Sequence, residues 1–356
     1  MCLEALLKMK TFDLNDVIDC FPNLISKNQL AEMKKVDSVY PVKISDYYLN
    51  LALKSEAIFK QAFPAKEELL DNLFCEYDPL NENENQKVPG LIHKYTNKAI
   101  IITTNCCFMN CRHCTRKRLL NSSHSFEPPQ YNKIFEYISQ HTEINDILLT
   151  GGDALTLCDE KLFSIINSLQ QIQHINTIRI GTRAPVTFPQ RITESLCEQL
   201  GLYKNIWINT HFNHPDEITE ESIYACKLIQ SKGIPICNQT VILKGINDNY
   251  NTLFELFLKL VNIRVVPYYL YQCDNVKGVS HFITPPKFGA EVIKKLRNHL
   301  PGMAVPRYII DTQNNMGKII SEFSNVIKVT ENSAELINSE GKICKIQYDI
   351  NFPKNE

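Results

Sequence analysis

The hydrophobic pattern changes character near residue 90. Before it, stretches such as 45–66 mix apolar and charged positions at helical spacing, and residues 1–88 read as a mostly helical extension. Residues 78–87 are polar almost throughout and run into Val88-Pro89-Gly90, which predicts a linker ending in a break. Beyond it, short β-rich runs alternate with longer amphipathic stretches. The runs are 99–104, 146–150, 177–181, 206–210, 235–243, 265–271 and 308–311. Between them lie helix-like stretches such as 132–140, 160–171, 217–231 and 250–260. Such alternation predicts right-handed βαβ units around a parallel sheet. Six or seven units in about 220 residues favour a full or partial (β/α) barrel over an open sheet. Polar and special residues fall just past the strands, at Gly151-Gly152-Asp153, Asn209-Thr210-His211, Asn238-Gln239 and Asp274. In a parallel barrel those positions line the C-terminal face, where active sites form. The expected organisation is an extension over 1–88, a barrel core over 89–300, and a closing segment over 301–356 with two short β-like runs after Lys318.

Composition narrows the function classes. Lys plus Arg is 38 and Asp plus Glu is 39, a net charge of −1, which argues against nucleic acid or an anionic membrane as partner. No apolar run of about 18 residues or more predicts a membrane span. The N-terminal Met1-Cys2-Leu3-Glu4 stretch does not read as a signal peptide. An odd 13 cysteines without such a signal predict free thiols in a reducing cytoplasm. Most of them lie among apolar residues and read as core thiols.

Three cysteines differ. Cys107, Cys111 and Cys114 form C-x3-C-x2-C on a loop directly after the first barrel strand. Thiolates suit iron–sulfur or zinc. A zinc site normally wants a fourth ligand close by, whereas three cysteines can hold three irons of a [4Fe–4S] cube and leave the fourth open. Arg112, Arg116, Lys117 and Arg118 offer positive charge against such a cluster. Cys106 is out of spacing and reads as a bystander, although spacing alone leaves its register open. The competing reading is a zinc knuckle on Cys111 and Cys114, or plain core thiols. The pair Gly151-Gly152 also needs a reason in a chain of only 12 glycines. Glycines let backbone approach a ligand closely, while Asp153 alone is accounted for as a helix N-cap.

The string Cys111-Arg112-His113-Cys114-Thr115-Arg116 resembles the lysine 2,3-aminomutase family of radical S-adenosylmethionine (SAM) enzymes, with His113 where most of that superfamily has an aromatic residue. Leu148–Leu155, Ile180–Val186, Asn209–Pro215 and Asn238–Asp248 support the same resemblance, which covers about Val88 to Ile320. It implies a partial (β/α)6-type radical SAM barrel, and an isomerase that converts L-lysine to β-lysine after a 5′-deoxyadenosyl radical takes the C3 hydrogen. It implies a [4Fe–4S] cluster on Cys107, Cys111 and Cys114. It implies SAM contacts from Gly151, Gly152 and Asp153, with His211 and Gln239 the favoured further contacts. Pyridoxal phosphate (PLP) is expected on Lys318, with Lys94 and Lys98 where the family often has arginines for its phosphate. Arg116 is expected to pair with the substrate carboxylate, and Asp274 and Asp311 with its side-chain ammonium. The resemblance also implies a one-electron donor such as flavodoxin or ferredoxin, and leaves a homo-oligomer open. Two features depart from it. Thr312–Gly317 holds a single glycine before Lys318 where the family has a run of them, and no C-terminal cysteine cluster is present, so no structural zinc is expected. Alternatives are an arginine or elongation factor P-linked lysine aminomutase, and a PLP-independent radical SAM enzyme. A glutamate aminomutase is disfavoured, because two acids would repel its side chain.

Overall fold

The barrel strands carry two different faces. Ile101, Ile147, Leu149, Ile178, Ile180, Ile206, Ile208 and Ile236 are buried, and pack in one core with helix residues such as Leu162, Leu196, Ile229, Leu256 and Leu296. Residues of the opposite phase, such as Lys98, Asp146, Arg179, Trp207, Gln239 and Tyr271, face a cavity instead. Side chains alternate along a strand, so a sheet with helices on one face and a cavity on the other must read apolar and polar in turn.

The computed structural model describes residues 10–22, 26–70, 74–120, 126–312, 317–320, 326–329, 333–337 and 342–347. A short antiparallel pair, β1 (Thr11–Phe12) and β2 (Ile44–Ser45), lies in the N-terminal extension. Ten strands then form one sheet in chain order: β3 (Gln86–Val88), β4 (Leu91–Tyr95), β5 (Lys98–Thr104), β6 (Asp146–Gly151), β7 (Thr177–Gly181), β8 (Ile206–Thr210), β9 (Ile236–Val241), β10 (Val266–Tyr271), β11 (Arg307–Thr312) and β12 (Gly317–Ile320). From β5 to β11 every neighbouring pair is parallel. β3 and β4 flank one edge and β12 the other, all antiparallel. Six strand–helix units followed by β11 make an open (β/α)6 barrel, as expected. A separate three-stranded antiparallel sheet follows: β13 (Val326–Val329), β14 (Ser333–Ile337) and β15 (Ile343–Gln347). No helix among the described residues is long and apolar enough to cross a membrane.

The crossover helices begin just past the strand ends, with side-chain caps. Thr193, Thr219 and Asn249 each accept a backbone N–H of the first turn; such caps stabilise by about 1 kcal/mol each.

The N-terminal extension is helical over 14–20, 27–37, 46–52 and 56–62. It is built into the barrel rather than appended, because Tyr48, Leu49, Ile58 and Phe63 belong to the main core. The polar stretch 78–87 is a correction to the linker reading. Asp78 accepts the backbone N–H groups of Glu82 and Asn83 at 3.1 and 2.8 Å, and Glu82 is buried. Part of its polarity serves internal hydrogen bonding, while Asn83, Glu84, Gln86 and Lys87 are exposed.

Candidate active site

A cavity of about 750 Å³ fills the open barrel. Residues from β4 to β12 line it, together with the loop carrying Cys107, Cys111 and Cys114. All three thiols are free and half-buried. Burial first, and then the other thiolates, push Cys107 up and Cys114 up to about 11. Cys106 does not line the cavity; it contributes its carbonyl, which accepts from Asp153 N at 2.7 Å and from the Thr156 hydroxyl.

That carbonyl explains the glycine pair. A Cβ on Gly152 would lie 2.1 Å from Cys106 O, and one on Gly151 2.3 Å from Thr104 O. Gly151 also has φ +131°, where side-chain-bearing residues rarely go. The close approach is made by the cysteine loop itself, so the glycines seat that loop. Asp153 is an N-cap, accepting from Leu155 N at 3.0 Å. It also accepts from the Thr182 hydroxyl at 2.6 Å and Arg183 N at 2.7 Å, tying the end of β6 to the end of β7.

The basic residues of the loop are ion-paired elsewhere, although Arg116 and Lys117 still act on the Cys114 thiol through their charge. Arg112 and Lys117 are fully buried against Glu68 of the N-terminal extension. Arg116 and Arg118 converge on Glu82. Burial alone would raise Glu82, but these two guanidiniums hold it down at about 2. Arg116 binds Glu82 through Nε and Nη2, so only its Nη1 side is left for the cavity. The cation that touches a cluster-loop thiol is Arg183, whose Nη1 lies 2.9 Å from Cys111 Sγ. Neither Glu82 nor Arg183 stood out in the sequence: one sits in an apparent linker, the other in a string with several polar residues.

His211 and Gln239 meet, as their strand-end positions allowed. Gln239 hydrogen-bonds His211, yet burial and then Arg183 and Arg116 push His211 down to about 3. Burial and these two cations favour the neutral imidazole.

At the far side of the cavity, β11 and β12 form a hairpin that sets Asp311 directly opposite Lys318. Lys318 Nζ lies 3.2 Å from Asp311 Oδ2 and donates to the Tyr271 hydroxyl at 2.9 Å. Burial alone would lower its pKa, but Tyr271 and Asp311 raise it. Among the described residues, Asp311 Oδ1 is buried without a partner. Asp274 accepts from the Thr115 hydroxyl at 3.0 Å. Burial and then the Asp311 charge push Asp274 up to about 7. Residues 313–316 of the glycine-poor loop lie outside the described residues; where described, Gly317 has φ +82° and its carbonyl accepts from the Thr312 hydroxyl. Lys94 and Lys98 also line the cavity. Lys98 is exposed on β5, and Lys94 donates to Leu80 O at 3.1 Å.

Comparison with known proteins fits this arrangement. The Radical SAM superfamily pattern matches residues 101–257. The L-lysine 2,3-aminomutase of Fusobacterium nucleatum is 44% identical over 344 residues, 96% of this chain and 80% of that protein. The L-lysine 2,3-aminomutase of Clostridium subterminale is 42% identical, over 87% of this chain and 75% of that protein. The glutamate 2,3-aminomutase of Clostridioides difficile is 37% identical, over 91% of this chain and 77% of that protein. Likeness of this extent, spanning the cysteine loop, the barrel and the Lys318 hairpin together, makes the chain a member of the lysine 2,3-aminomutase family of radical SAM enzymes.

Proposed function

We propose that the chain is a PLP-dependent radical SAM 2,3-aminomutase that converts L-lysine to β-lysine. The observation that carries the substrate is the carboxylate pair. Asp311 already holds a primary ammonium, that of Lys318, and still has a buried oxygen that meets no donor among the described residues. Asp274 stands near enough to be raised by the Asp311 charge. Two partly buried acids with an unmet acceptor favour a cationic side chain and repel a carboxylate such as that of glutamate.

The residues fit the groups the family uses. Three soft thiols on one loop beside the cavity suit a [4Fe–4S] cluster with an open iron. Gly151, Gly152 and Asp153 present the end of β6 beside it, and neutral His211 with Gln239 offers hydrogen bonds rather than charge to bound SAM. Lys318 is the PLP lysine, and Lys94 and Lys98 supply cations for a phosphate, as point charges rather than forks. When bound, these groups supply what side chains lack: removal of an unactivated C3 hydrogen, and a carbonyl carbon to carry the migrating nitrogen.

The chain's own part is geometric. Arg116, braced by Glu82, binds the substrate carboxylate through its free Nη1 side. Asp274 and Asp311 bind the ε-ammonium once Lys318 has turned to PLP. Holding both ends of lysine fixes C2 and C3 between the cofactors, the orientation on which such a rearrangement depends. A one-electron donor of the flavodoxin or ferredoxin type, cytoplasmic placement and a homo-oligomer complete the proposal.

The test is an anaerobic assay of reconstituted protein with SAM, PLP, dithionite and L-lysine, read by mass spectrometry, with L-arginine and L-glutamate in parallel. β-Lysine as the main product is expected. SAM cleavage without β-lysine would keep the radical centre and overturn the substrate.

A further inference from the structure

The Arg183 side chain is held from several sides. Its Nε donates to His211 O at 3.0 Å, and its Nη2 to Glu217 Oε1 at 2.7 Å. Tyr48 Oη and Gln61 Oε1 lie 3.5 and 3.4 Å from the same Nη2. The guanidinium also sits over the Tyr48 ring, 5.7 Å from its centroid. Glu217 is itself fully buried. It accepts from the Tyr48 hydroxyl at 2.6 Å and from the backbone of Asn213 and His214. What remains of the fork is Nη1, and it points at Cys111 Sγ. Tyr48 and Gln61 belong to the N-terminal extension, Arg183 follows β7 and Glu217 follows β8. Three separate parts of the chain therefore converge to aim one permanent cation at one thiol.

We propose that Arg183 is a positioning residue that tunes the iron–sulfur cluster, donating an N–H···S bond to the Cys111 thiolate, with Tyr48 and Gln61 of the N-terminal extension holding it there. The inference rests on the cluster assignment made above. Its physical basis is charge. Reduction adds one electron to the cluster and breaks no bond, so the reduced form is the more negative. A cation and a hydrogen bond at a ligand sulfur stabilise that form more than the oxidised one, and hydrogen bonds to sulfur are a recognised lever on cluster potential. Arg183 thereby makes the cluster easier to reduce. Arg112, Arg116, Lys117 and Arg118 are ion-paired with Glu68 and Glu82 as Arg183 is with Glu217, but of these side chains it is that of Arg183 that donates to a cluster-loop sulfur.

The test uses the full chain reconstituted anaerobically with iron and sulfide, without SAM. Iron content and the EPR signal after dithionite come first. A wild-type protein that holds no four-iron cluster would remove the cluster assignment itself. With the cluster present, an EPR-monitored redox titration compares wild type, Arg183→Gln and Arg183→Lys. The expected result is a midpoint for Arg183→Gln more negative by about tenfold in the reduction equilibrium, about 59 mV for one electron. Arg183→Lys, which keeps the charge, recovers part of that shift. An Arg183→Gln protein with a full cluster and an unchanged midpoint would overturn the proposal.

A second readout avoids any folding defect in the variants. Pulsed EPR of reduced wild-type protein labelled with 15N-arginine should show a guanidinium nitrogen coupled to the cluster. With the label confined to the guanidinium nitrogens, the coupling should be lost in a cluster-loaded Arg183→Lys sample. Its absence from wild type, or its persistence in that variant, would equally overturn the proposal.

Discussion

Replacing Asp274 by Asn should make the protein more stable and less able to bind lysine. Burial and the Asp311 charge push Asp274 from its ordinary 3.8 up to about 7. Below the unfolded value the group is neutral in both states and contributes nothing. Between about pH 4 and pH 7 the unfolded chain ionises it freely while the folded chain resists, so stability falls as pH rises. Above pH 7 the full penalty is present. At roughly 1.4 kcal/mol per pH unit, the gap between 3.8 and about 7 amounts to about 4 kcal/mol. Asn removes the charge and keeps an oxygen for the Thr115 hydroxyl, which now binds the carboxylate at 3.0 Å. Thermal melts of the cofactor-free protein at pH 4 and pH 8 measure the effect. The variant should match wild type at pH 4 and exceed it at pH 8. In reconstituted enzyme the same variant should lose most of its affinity for lysine, because a buried ammonium would lose one of its two counter-charges. A stability difference equal at both pH values, or a less stable variant at pH 8, would refute the reasoning.

Other perturbations probe separate parts of the site. Glu82→Gln weakens the brace on Arg116; losing a charge-assisted hydrogen bond of about 1.5–3 kcal/mol should raise the KM for lysine roughly ten- to a hundredfold, with kcat changed far less. Equal losses in both would point to misfolding instead. Gly152→Ala would press a methyl against Cys106 O, 2.1 Å away, so iron content after reconstitution should fall sharply; a full complement of iron would disprove the seating role. Borohydride reduction of the PLP-loaded protein should fix the cofactor on Lys318, and a peptide map showing it on Lys94 or Lys98 would count against the assignment. The kcat/KM for lysine should rise with pH up to about 7 as Asp274 ionises, and that limb should vanish in Asp274→Asn.

Much of this architecture was legible in order along the chain. Local alternation with period 2 and helical stretches between are dictated by backbone geometry, and so the βα units and their strand-end polar residues could be read directly. The cysteine motif was equally legible, because three ligands on one loop are close in sequence as well as in space. The partners of those residues were not. Glu68, Glu82, Tyr48 and Gln61 lie 34 to 135 residues from the arginines and lysine they hold. No spacing rule links them. Glu82 in particular sits in a stretch whose polarity resembles a solvated linker, since a buried carboxylate and an exposed one look alike until their counter-charges are known.

By itself, then, the sequence determined which chemistry the chain carries: three thiols on a loop, a glycine pair, two acids at strand ends, and a lysine seven residues after the second. Those are local facts, set by covalent order and the periods of helix and strand. Tertiary structure decided how the charges are shared. It assigned four of the basic residues near the thiols to Glu68 and Glu82 and gave Cys111 to Arg183. It also turned the glycine pair toward the cysteine loop. The reason is that electrostatic pairing in a low-dielectric interior depends on separations of a few ångströms, and these arise only when distant segments have folded against one another.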